Sequence, residues 1–389
     1  MHTSPPCANP AIPLRVHPKI AFALSPPDTQ RRMQTDRFNY ELPEELIAQS
    51  PAARREDSRL LVVDRSSGGR THSTIARLGD FLRAGDLLIL NDTKVLPARL
   101  RGEREEGSGK AELLLLRSVA TNNWWVMLKP GRRLREGSII RLLKNKGGPS
   151  DFTATILEKN EAGHGRVHFS GPGDIADHLS ELGEMPLPPY IRPDNARARL
   201  DRERYQTVFA REPGSVAAPT AGLHFTEWLL AELRARGIAT QFVTLHVGLG
   251  TFAPVKTEQI EDHEMHEERF TVSAETAAAV NEAKSAGRRV IAVGTTSLRV
   301  LESVAAVNGG RLIAGSGSTR IFIHPPHKFR IVDALLTNFH LPCSTLLMLV
   351  SAFASPGSIA GIDHLQEVYQ EAIRERYRFY SYGDAMLIG

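Results

Sequence analysis

The chain has 389 residues, of which 41% are hydrophobic and 24% are charged. This composition is typical of a globular protein and excludes a disordered, collagen-like or coiled-coil chain, while the length predicts two domains. Two cysteines cannot build a disulfide framework, and the longest strongly apolar run, 346–354, is too short to cross a bilayer. We therefore expect a soluble cytoplasmic protein.

Charge is distributed unevenly along the chain. Residues 1–172 hold 27 Lys and Arg against 19 Asp and Glu, whereas residues 173–389 hold 21 against 25. A basic half joined to an acidic half predicts that one part contacts a polyanion while the other has a different task.

The N-terminal segment differs from the rest of the chain. Its first 32 residues contain seven prolines and no periodic apolar pattern. Prolines break the amphipathic helix that a transit peptide needs, so we interpret residues 1–34 as a disordered tail or as the product of a start codon placed too early.

The middle of the chain has the pattern of a β-domain. Between Leu60 and Phe169, short apolar runs alternate with Gly-rich or charged turns, which predicts a small β-barrel over 60–172. Within it, Lys129–Lys146 holds seven basic residues and one acid and follows Trp124 and Trp125. This segment is either a surface for phosphates and exposed bases or a solvated face over core tryptophans.

The remainder, 35–59 and 173–389, has an α/β pattern. Thr226 is placed to cap a helix that ends at Gly237, and Ser273 is placed to cap another that ends at Gly287. Strands follow both helices, and a further helix begins near Thr295. This order predicts a mostly parallel sheet with right-handed crossovers.

Four loops in the second half are rich in small and polar residues. In 214–226, small side chains allow close approach to the backbone, and in 293–302 a buried strand opens a helix whose free N–H groups favour an anion. The glycines of 245–255 are followed by Pro254, which argues against a dinucleotide site. In 262–268, two histidines lie three apart, typical of a metal site, of an acid/base cluster or of a solvated charged segment. Tight loops, a packed histidine and ordinary helix capping remain alternatives.

Taken together, these loops and their neighbouring segments indicate a particular protein family. The segments FNYELPEELIAQ, GDLLILNDTKVLPARL, GSVAAPTAGLHFT, LHVGLGTFAPV, VGTTSLRVLES, TNFHLPCSTLLMLVSAF and YSYGDAMLI occur in this order. The chain closely resembles the S-adenosylmethionine:tRNA ribosyltransferase-isomerases of queuosine biosynthesis, from about Thr35 to its C-terminus. The resemblance implies a three-layer α/β domain with an inserted small β-barrel.

The resemblance also implies a reaction. Such enzymes use S-adenosylmethionine as a ribosyl donor and isomerise the ribose onto the aminomethyl group of 7-aminomethyl-7-deazaguanine at the wobble position of tRNA. The products are epoxyqueuosine-tRNA, adenine and methionine. The partners expected are therefore S-adenosylmethionine and tRNA, with no metal and no membrane, and nothing in the sequence demands more than a monomer.

Candidate site residues follow from this reaction, because a sulfonium acidifies the adjacent carbon and a histidine suits both proton steps. The candidates for proton transfer are His224, His246, His263, His266 and His340. Those for binding the donor are Thr220, Gly222, Gly248, Gly250, Thr295, Thr296, Ser297, Arg299, Asp333, Asn338, Tyr382 and Asp384. Those for tRNA are Trp124, Lys129, Arg132, Arg133 and Arg135.

Some residues depart from the family pattern, and other functions remain open. Glu264, Arg320, Pro326 and His327 replace residues that the family usually has, which leaves local loop geometry uncertain. An RNA methyltransferase would yield S-adenosylhomocysteine instead of adenine. A noncatalytic RNA-binding barrel would leave the histidine-rich loops without a role, and a metal-dependent hydrolase would lose activity on chelation.

Overall fold

The computed structural model describes residues 32–389 except 108, 193, 195, 249 and 251–253. Most of the predicted N-terminal tail therefore lies outside the described residues. Met33 already belongs to the fold, because its side chain is buried in the main core and its N–H donates to the Glu261 carboxylate at 3.0 Å.

A nine-stranded mixed sheet forms the larger part of the molecule. In spatial order its strands are β16 (Gly315–Thr319), β14 (Glu268–Val272), β13 (Ala239–Leu245), β3 (Leu87–Asn91), β15 (Val290–Val293), β17 (Ala334–Asn338), β18 (Ala385–Ile388), β1 (Arg59–Val63) and β2 (Arg70–Thr74). The pairs β13–β3, β3–β15, β15–β17 and β18–β1 are parallel, and the other four are antiparallel. The sheet is thus mixed, where the sequence predicted a mostly parallel one.

Helices pack against this sheet. They are α3 (Glu227–Ala235), α4 (Ala274–Ser285), α5 (Thr295–Val307), α6 (Thr345–Ala354) and α7 (Gly361–Arg374). The predicted caps are confirmed, since Thr226 accepts from the N–H of Leu229 and Ser273 from that of Thr276, each at 3.1 Å. Side chains of β3 alternate between an apolar cluster that includes α4–α7 and another that includes α3, so apolar side chains pack on both faces of the sheet.

A closed six-stranded barrel lies between β3 and β13 along the chain. Its strands are β5 (Arg99–Arg104), β6 (Lys110–Ala120), β7 (Asn123–Lys129), β10 (Gly165–Ser170), β9 (Pro149–Lys159) and β8 (Ile139–Leu143), with β11 (Gly183–Glu184) added beside β5. Pairing of β5 with β8 closes the barrel. Helix α1 (Ile175–Leu182) contributes Ile175, Leu179 and Leu182 to the barrel core. The short helix α2 (Ala198–Arg204) follows.

The barrel begins later than the predicted boundary at residue 60. Strands β1 and β3 lie in the large sheet, because their apolar runs are buried on both faces, as Leu60 and Leu61 show at 0% exposure. Barrel strands instead alternate between buried and exposed positions, as in β7. The barrel is joined to the large sheet by a parallel pair, β4 (Thr93–Val95) and β12 (Glu212–Ser215), at its entrance and exit.

No helix among the described residues is long and apolar enough to span a membrane. The most apolar helix, α6, has ten residues.

One buried carboxylate binds the backbone of the segment that precedes β17. Glu302 of α5 is 1% exposed and accepts the N–H groups of Arg330, Ile331 and Val332 at 2.9, 3.0 and 3.1 Å. These three residues lead directly into β17, so Glu302 holds this strand in register with α5.

Replacing Glu302 by alanine should lower the free energy of unfolding by about 2 kcal/mol or more, because it leaves buried N–H donors without acceptors. Denaturant unfolding measures the change. The matched control is Glu282→Ala, which removes the exposed partner of Arg288. It should lower the free energy of unfolding by less than about 1 kcal/mol. Equal losses in both variants would contradict this role for Glu302.

Candidate active site

A cleft opens at the carboxyl ends of β15 and β17. In α/β sheets, ligands bind preferentially at this edge. The lining residues are Tyr190, Ala218, Pro219, Thr220, Ala221, Val247, Gly294, Thr295, Thr296, Thr337, Asn338, Phe339, His340, Leu341, Leu346, Tyr380 and Ser381. Three of the four predicted loops thus meet at one place, 214–226, 293–302 and, through Val247, 245–255, together with the segment around 338–340.

The N-terminus of α5 forms one wall of the cleft. Gly294 precedes the helix with φ 87°, a backbone conformation that favours glycine, and no side chain caps the helix. The Ser297 hydroxyl instead donates to the Val293 carbonyl at 3.0 Å, and the buried hydroxyl of Thr296 has no hydrogen-bond partner. The first N–H groups of a 13-residue helix and a free hydroxyl therefore border the cleft, an arrangement that favours an anion.

Asn338, at the end of β17, presents an acceptor. Its Nδ2 is surrounded by the carbonyls of Tyr380 and Asp384 at 3.1 and 3.5 Å and by Nε2 of His224 at 3.4 Å. Three acceptors around one nitrogen define the orientation of the amide. Its Oδ1 is buried and has no partner, which is costly unless a ligand supplies a donor.

Among the five candidate histidines, His340 is the one that lines the cleft. Its Nε2 lies 2.8 Å from the Thr337 hydroxyl. Its backbone is fixed by two tyrosines: its N–H donates to the Tyr369 hydroxyl at 2.8 Å, and its carbonyl accepts from the Tyr40 hydroxyl. Burial lowers the pKa of His340 to about 3, so the imidazole is neutral at physiological pH.

His224 lies behind Asn338, outside the cleft lining. It is 4% exposed, and burial together with the positive charges of Arg378 and Arg55 lowers its pKa to about 3. A neutral imidazole can accept from the Asn338 amide, so the geometry assigns His224 a contact with a cleft residue instead of with a ligand.

The other three histidines lie elsewhere. His246 approaches the Thr93 hydroxyl at 2.9 Å through Nδ1, and burial and Arg269 lower its pKa. The segment of His263 and His266 is not helical, so the two do not share a helix face. The His263 ring packs on Phe322 with centroids 5.6 Å apart, while His266 is exposed.

The two glycines of the 245–255 loop differ in their surroundings. A Cβ on Gly250 would lie 2.1 Å from the His266 ring, whereas a Cβ on Gly248 would meet no heavy atom within 4 Å. The Gly248 N–H donates to Oε1 of Glu268 at 3.2 Å, and the other oxygen of this carboxylate pairs with Arg299. Arg299 is 5% exposed, and its Nε and Nη2 have no partner.

Four other residues predicted to bind the ribosyl donor make contacts within the protein. Asp333 begins the segment at the amino end of β17, the opposite sheet edge from Asn338, and pairs with Lys284 at 2.7 Å. Asp384 accepts from the backbone N–H groups of Arg59 and Arg378. The Tyr382 hydroxyl donates to Asp201 at 2.9 Å, and a Cβ on Gly222 would press on Phe209 and Thr207 at 2.9 Å.

Two tyrosines that sequence reasoning did not select form an aromatic wall of the cleft. The rings of Tyr190 and Tyr380 lie 4.7 Å apart, and the Tyr190 and Ser381 hydroxyls are 2.7 Å apart. Tyr380 has φ 71°, a strained conformation for a non-glycine residue. Tyr380 lies in YSYGDAMLI, one of the segments on which the family resemblance rests, but no spacing in the sequence indicates that the two rings meet.

In the barrel, the structure separates the tRNA candidates. Trp124 is 9% exposed and packs in the barrel core. The other candidates, Lys129, Arg132, Arg133 and Arg135, are exposed. Within the part of the chain that the structure describes, no three His, Cys, Asp or Glu side chains are grouped so that they could hold a metal ion.

Comparison with known proteins defines the family. The family model described as queuosine biosynthesis protein matches residues 35–388, so the chain belongs to this family. The chain is 50% identical over 356 residues to the S-adenosylmethionine:tRNA ribosyltransferase-isomerase of Caldanaerobacter subterraneus subsp. tengcongensis, covering 92% of this chain and all of that protein.

A solved structure gives the same result. It is the crystal structure of S-adenosylmethionine tRNA ribosyltransferase from Thermotoga maritima, with 35% sequence identity and a TM-score of 0.51, covering 91% of this chain and all of that one. The resemblance drawn from the sequence motifs is therefore confirmed.

The two buried histidines predict how stability depends on pH. In the folded chain the pKa of each is lowered from 6.5 to about 3, so below pH 6.5 the unfolded chain binds protons that the folded chain does not. Their contribution to stability is therefore complete above pH 6.5 and is lost as the pH falls towards 3.

His224→Gln and His340→Gln should each reduce the slope of unfolding free energy against pH by about 1.4 kcal/mol per pH unit between pH 5.5 and 4.5. Denaturant unfolding at several pH values measures the slope. A slope in both variants equal to that of the wild type would show that these rings protonate in the folded state.

Proposed function

We propose that this chain transfers and isomerises the ribose moiety of S-adenosylmethionine onto the aminomethyl group of 7-aminomethyl-7-deazaguanine in tRNA, giving epoxyqueuosine-tRNA, adenine and methionine. The observation that carries this proposal is the cleft at the carboxyl ends of β15 and β17, where Thr296 Oγ1 and Asn338 Oδ1 are buried without partners. Family membership supplies the reaction class.

The donor binds with its methionine carboxylate at the N-terminus of α5. The free N–H groups of the first turn and the Thr296 hydroxyl supply donors there, and the helix dipole favours the negative charge. Asn338 Oδ1 accepts from a ribose hydroxyl, and the wall of Tyr190 and Tyr380 packs against the adenine ring.

His340 transfers the proton. Its imidazole lines the cleft, and the Thr337 hydroxyl contacts its Nε2, which leaves Nδ1 to accept the acidic proton beside the sulfonium. A bound carboxylate nearby favours the imidazolium that this step creates. The same group can then return the proton to the departing adenine.

The barrel contacts the tRNA. Its loop 130–138 carries three exposed arginines, and Lys159 at the end of β9 donates to the Gly131 carbonyl at 2.6 Å. The turn that follows β9 contains His164, whose pKa is lowered first by burial and then by the neighbouring His266. His266 in turn adjoins Gly250, so the cationic loop lies at the barrel end that faces the loop beside the cleft.

The proposal includes the domain architecture of the protein and the cell compartment in which it acts. Apolar clusters on both faces of the large sheet support a three-layer α/β domain that binds the donor, with the barrel as an inserted tRNA-binding domain. A monomer acting in the cytoplasm, where tRNA is modified, is sufficient for this function.

Product analysis tests the reaction. Incubation with S-adenosylmethionine and tRNA carrying 7-aminomethyl-7-deazaguanine should release adenine and methionine and add the mass of the isomerised ribosyl group to the modified nucleoside. S-adenosylhomocysteine would instead mean methyl transfer, and tRNA binding without any product would favour the RNA-binding alternative.

Two substitutions test the assigned roles in the same assay. Thr296→Val should raise the KM for S-adenosylmethionine about fivefold, because one hydrogen bond is lost at nearly constant volume. His340→Gln should lower kcat at least about 100-fold. His72→Gln, on edge strand β2, is the control and should leave both constants unchanged. Normal kcat in His340→Gln would remove His340 from the mechanism.

Alanine substitutions at Gly250 and Gly248 test whether the loop and its contact with His266 contribute to binding of S-adenosylmethionine. Gly250→Ala should raise the KM for S-adenosylmethionine roughly tenfold, because the added methyl displaces the loop or the His266 ring, while Gly248→Ala should have little effect. In a His266→Ala background the Gly250→Ala penalty should shrink. Equal effects of both alanines would show that the contact with His266 is unimportant.

A further inference from the structure

The register of the barrel places Trp125 between two arginines on the outer surface. Along β7 the side chains alternate, so Trp124 points into the core and Trp125 points outward, where it is half-buried. Trp125 lies directly opposite Arg117 of β6 on one side and Arg166 of β10 on the other. Residues directly opposite in antiparallel strands have Cβ atoms about 5 Å apart, so the arginines flank the indole.

The outer surface continues along β7 with the same chemistry. Met127 is 42% exposed, and Lys129 is exposed at the end of the strand. We define the barrel-face patch as Arg117, Trp125, Met127, Lys129 and Arg166. It has an apolar and aromatic centre with cations at its rim.

Charge at the rim is partly balanced. Arg166 pairs with Glu158 at 2.7 Å. Arg117 is exposed, and no ion pair joins it to another residue in the described ranges. Lys129 faces Glu112, but this carboxylate is shared with Arg99 and Arg101 at 3.6 and 3.9 Å. The patch therefore retains positive charge around an aromatic ring.

The patch is continuous with the cationic loop. Lys129 directly precedes residues 130–138, where Arg132, Arg133 and Arg135 are exposed. The loop is tied to the end of β9 by the bond from Lys159 to the Gly131 carbonyl. From this end, the row of Lys129, Met127 and Trp125 runs back along β7.

We propose that Trp125 stacks on an unpaired base of the tRNA and that Arg117 and Arg166 bind the phosphates on either side of it. This inference rests on the proposed function, in which the reacting nucleotide lies in a single-stranded loop whose neighbouring bases are free to stack. Proteins bind such loops through aromatic rings and arginines that recognise any base and its backbone. The patch therefore fixes the position of the loop while the reacting nucleotide enters the cleft.

Filter binding of the full-length protein to the substrate tRNA at several salt concentrations tests the proposal. Trp125→Ala should weaken binding about tenfold or more without changing the salt dependence, while Trp125→Phe should retain most of the affinity. Arg117→Gln should reduce the slope of log K against log salt by about 0.7 to 0.9, the contribution of one phosphate contact. Trp228→Ala removes an exposed tryptophan on α3 and is the matched control.

The outcomes separate this inference from the proposed function. At saturating tRNA, Trp125→Ala should release adenine at the wild-type kcat, with only the KM for tRNA raised. Weakened binding by Trp125→Ala would support the patch whether or not adenine is formed. Absence of adenine with the wild-type protein would reject only the proposed reaction. Unchanged affinity in Trp125→Ala together with an unchanged salt slope in Arg117→Gln would overturn the patch. Because Trp125 is half-buried, thermal unfolding is measured for each variant, and the exposed Arg117 provides a test that does not depend on packing.

Discussion

The arrangement of the cleft depends on one buried amide. The Nδ2 group of Asn338 is bonded to the Tyr380 carbonyl at 3.1 Å, which ties the end of β17 to the turn before β18. This bond connects two segments 42 residues apart and holds the strained backbone of Tyr380 in place. Because Nδ2 is committed to acceptors, Oδ1 is left without a partner on a residue that lines the cleft. The same interaction therefore positions a ligand acceptor and the aromatic wall beside it.

Burial, and to a lesser degree the positive charge of two arginines, keeps His224 neutral behind the cleft. Arg378 donates to Asp384 from its backbone and its guanidinium, and both Arg378 and Arg55 disfavour protonation of His224. A protonated His224 would have no lone pair for the Asn338 amide, and the orientation of that amide would lose one of its acceptors. Asp384, one of the predicted ligand contacts, thus influences the cleft through an arginine and a histidine.

Local signals in the sequence predicted the helices well but not the sheet partners. Thr226 and Ser273 cap helices because the bonds involved span three residues, which a sequence pattern reveals directly. Strand partnership depends on distant segments, so β1 and β3 were assigned to the barrel although their unbroken apolar runs are typical of strands buried on both faces. Likewise, Thr295, Thr296, Asn338 and His340 were found through residue type beside a strand end. Tyr190 was missed because its partner lies 190 residues away.

The barrel is inserted where its position can affect the cleft. Strands β4 and β12 bring its entrance and exit together, and Ser215 of β12 accepts from the N–H of Val247, a residue of the cleft wall, at 2.7 Å. The next residue, Val216, donates back to the Val247 carbonyl at 3.1 Å and also packs in the barrel core. Two hydrogen bonds, one to the Ser215 hydroxyl and one from the Val216 backbone, therefore connect the barrel to the cleft wall without a flexible linker. Because Val247 precedes the glycine loop, the position of the barrel and the geometry of the cleft are mechanically joined.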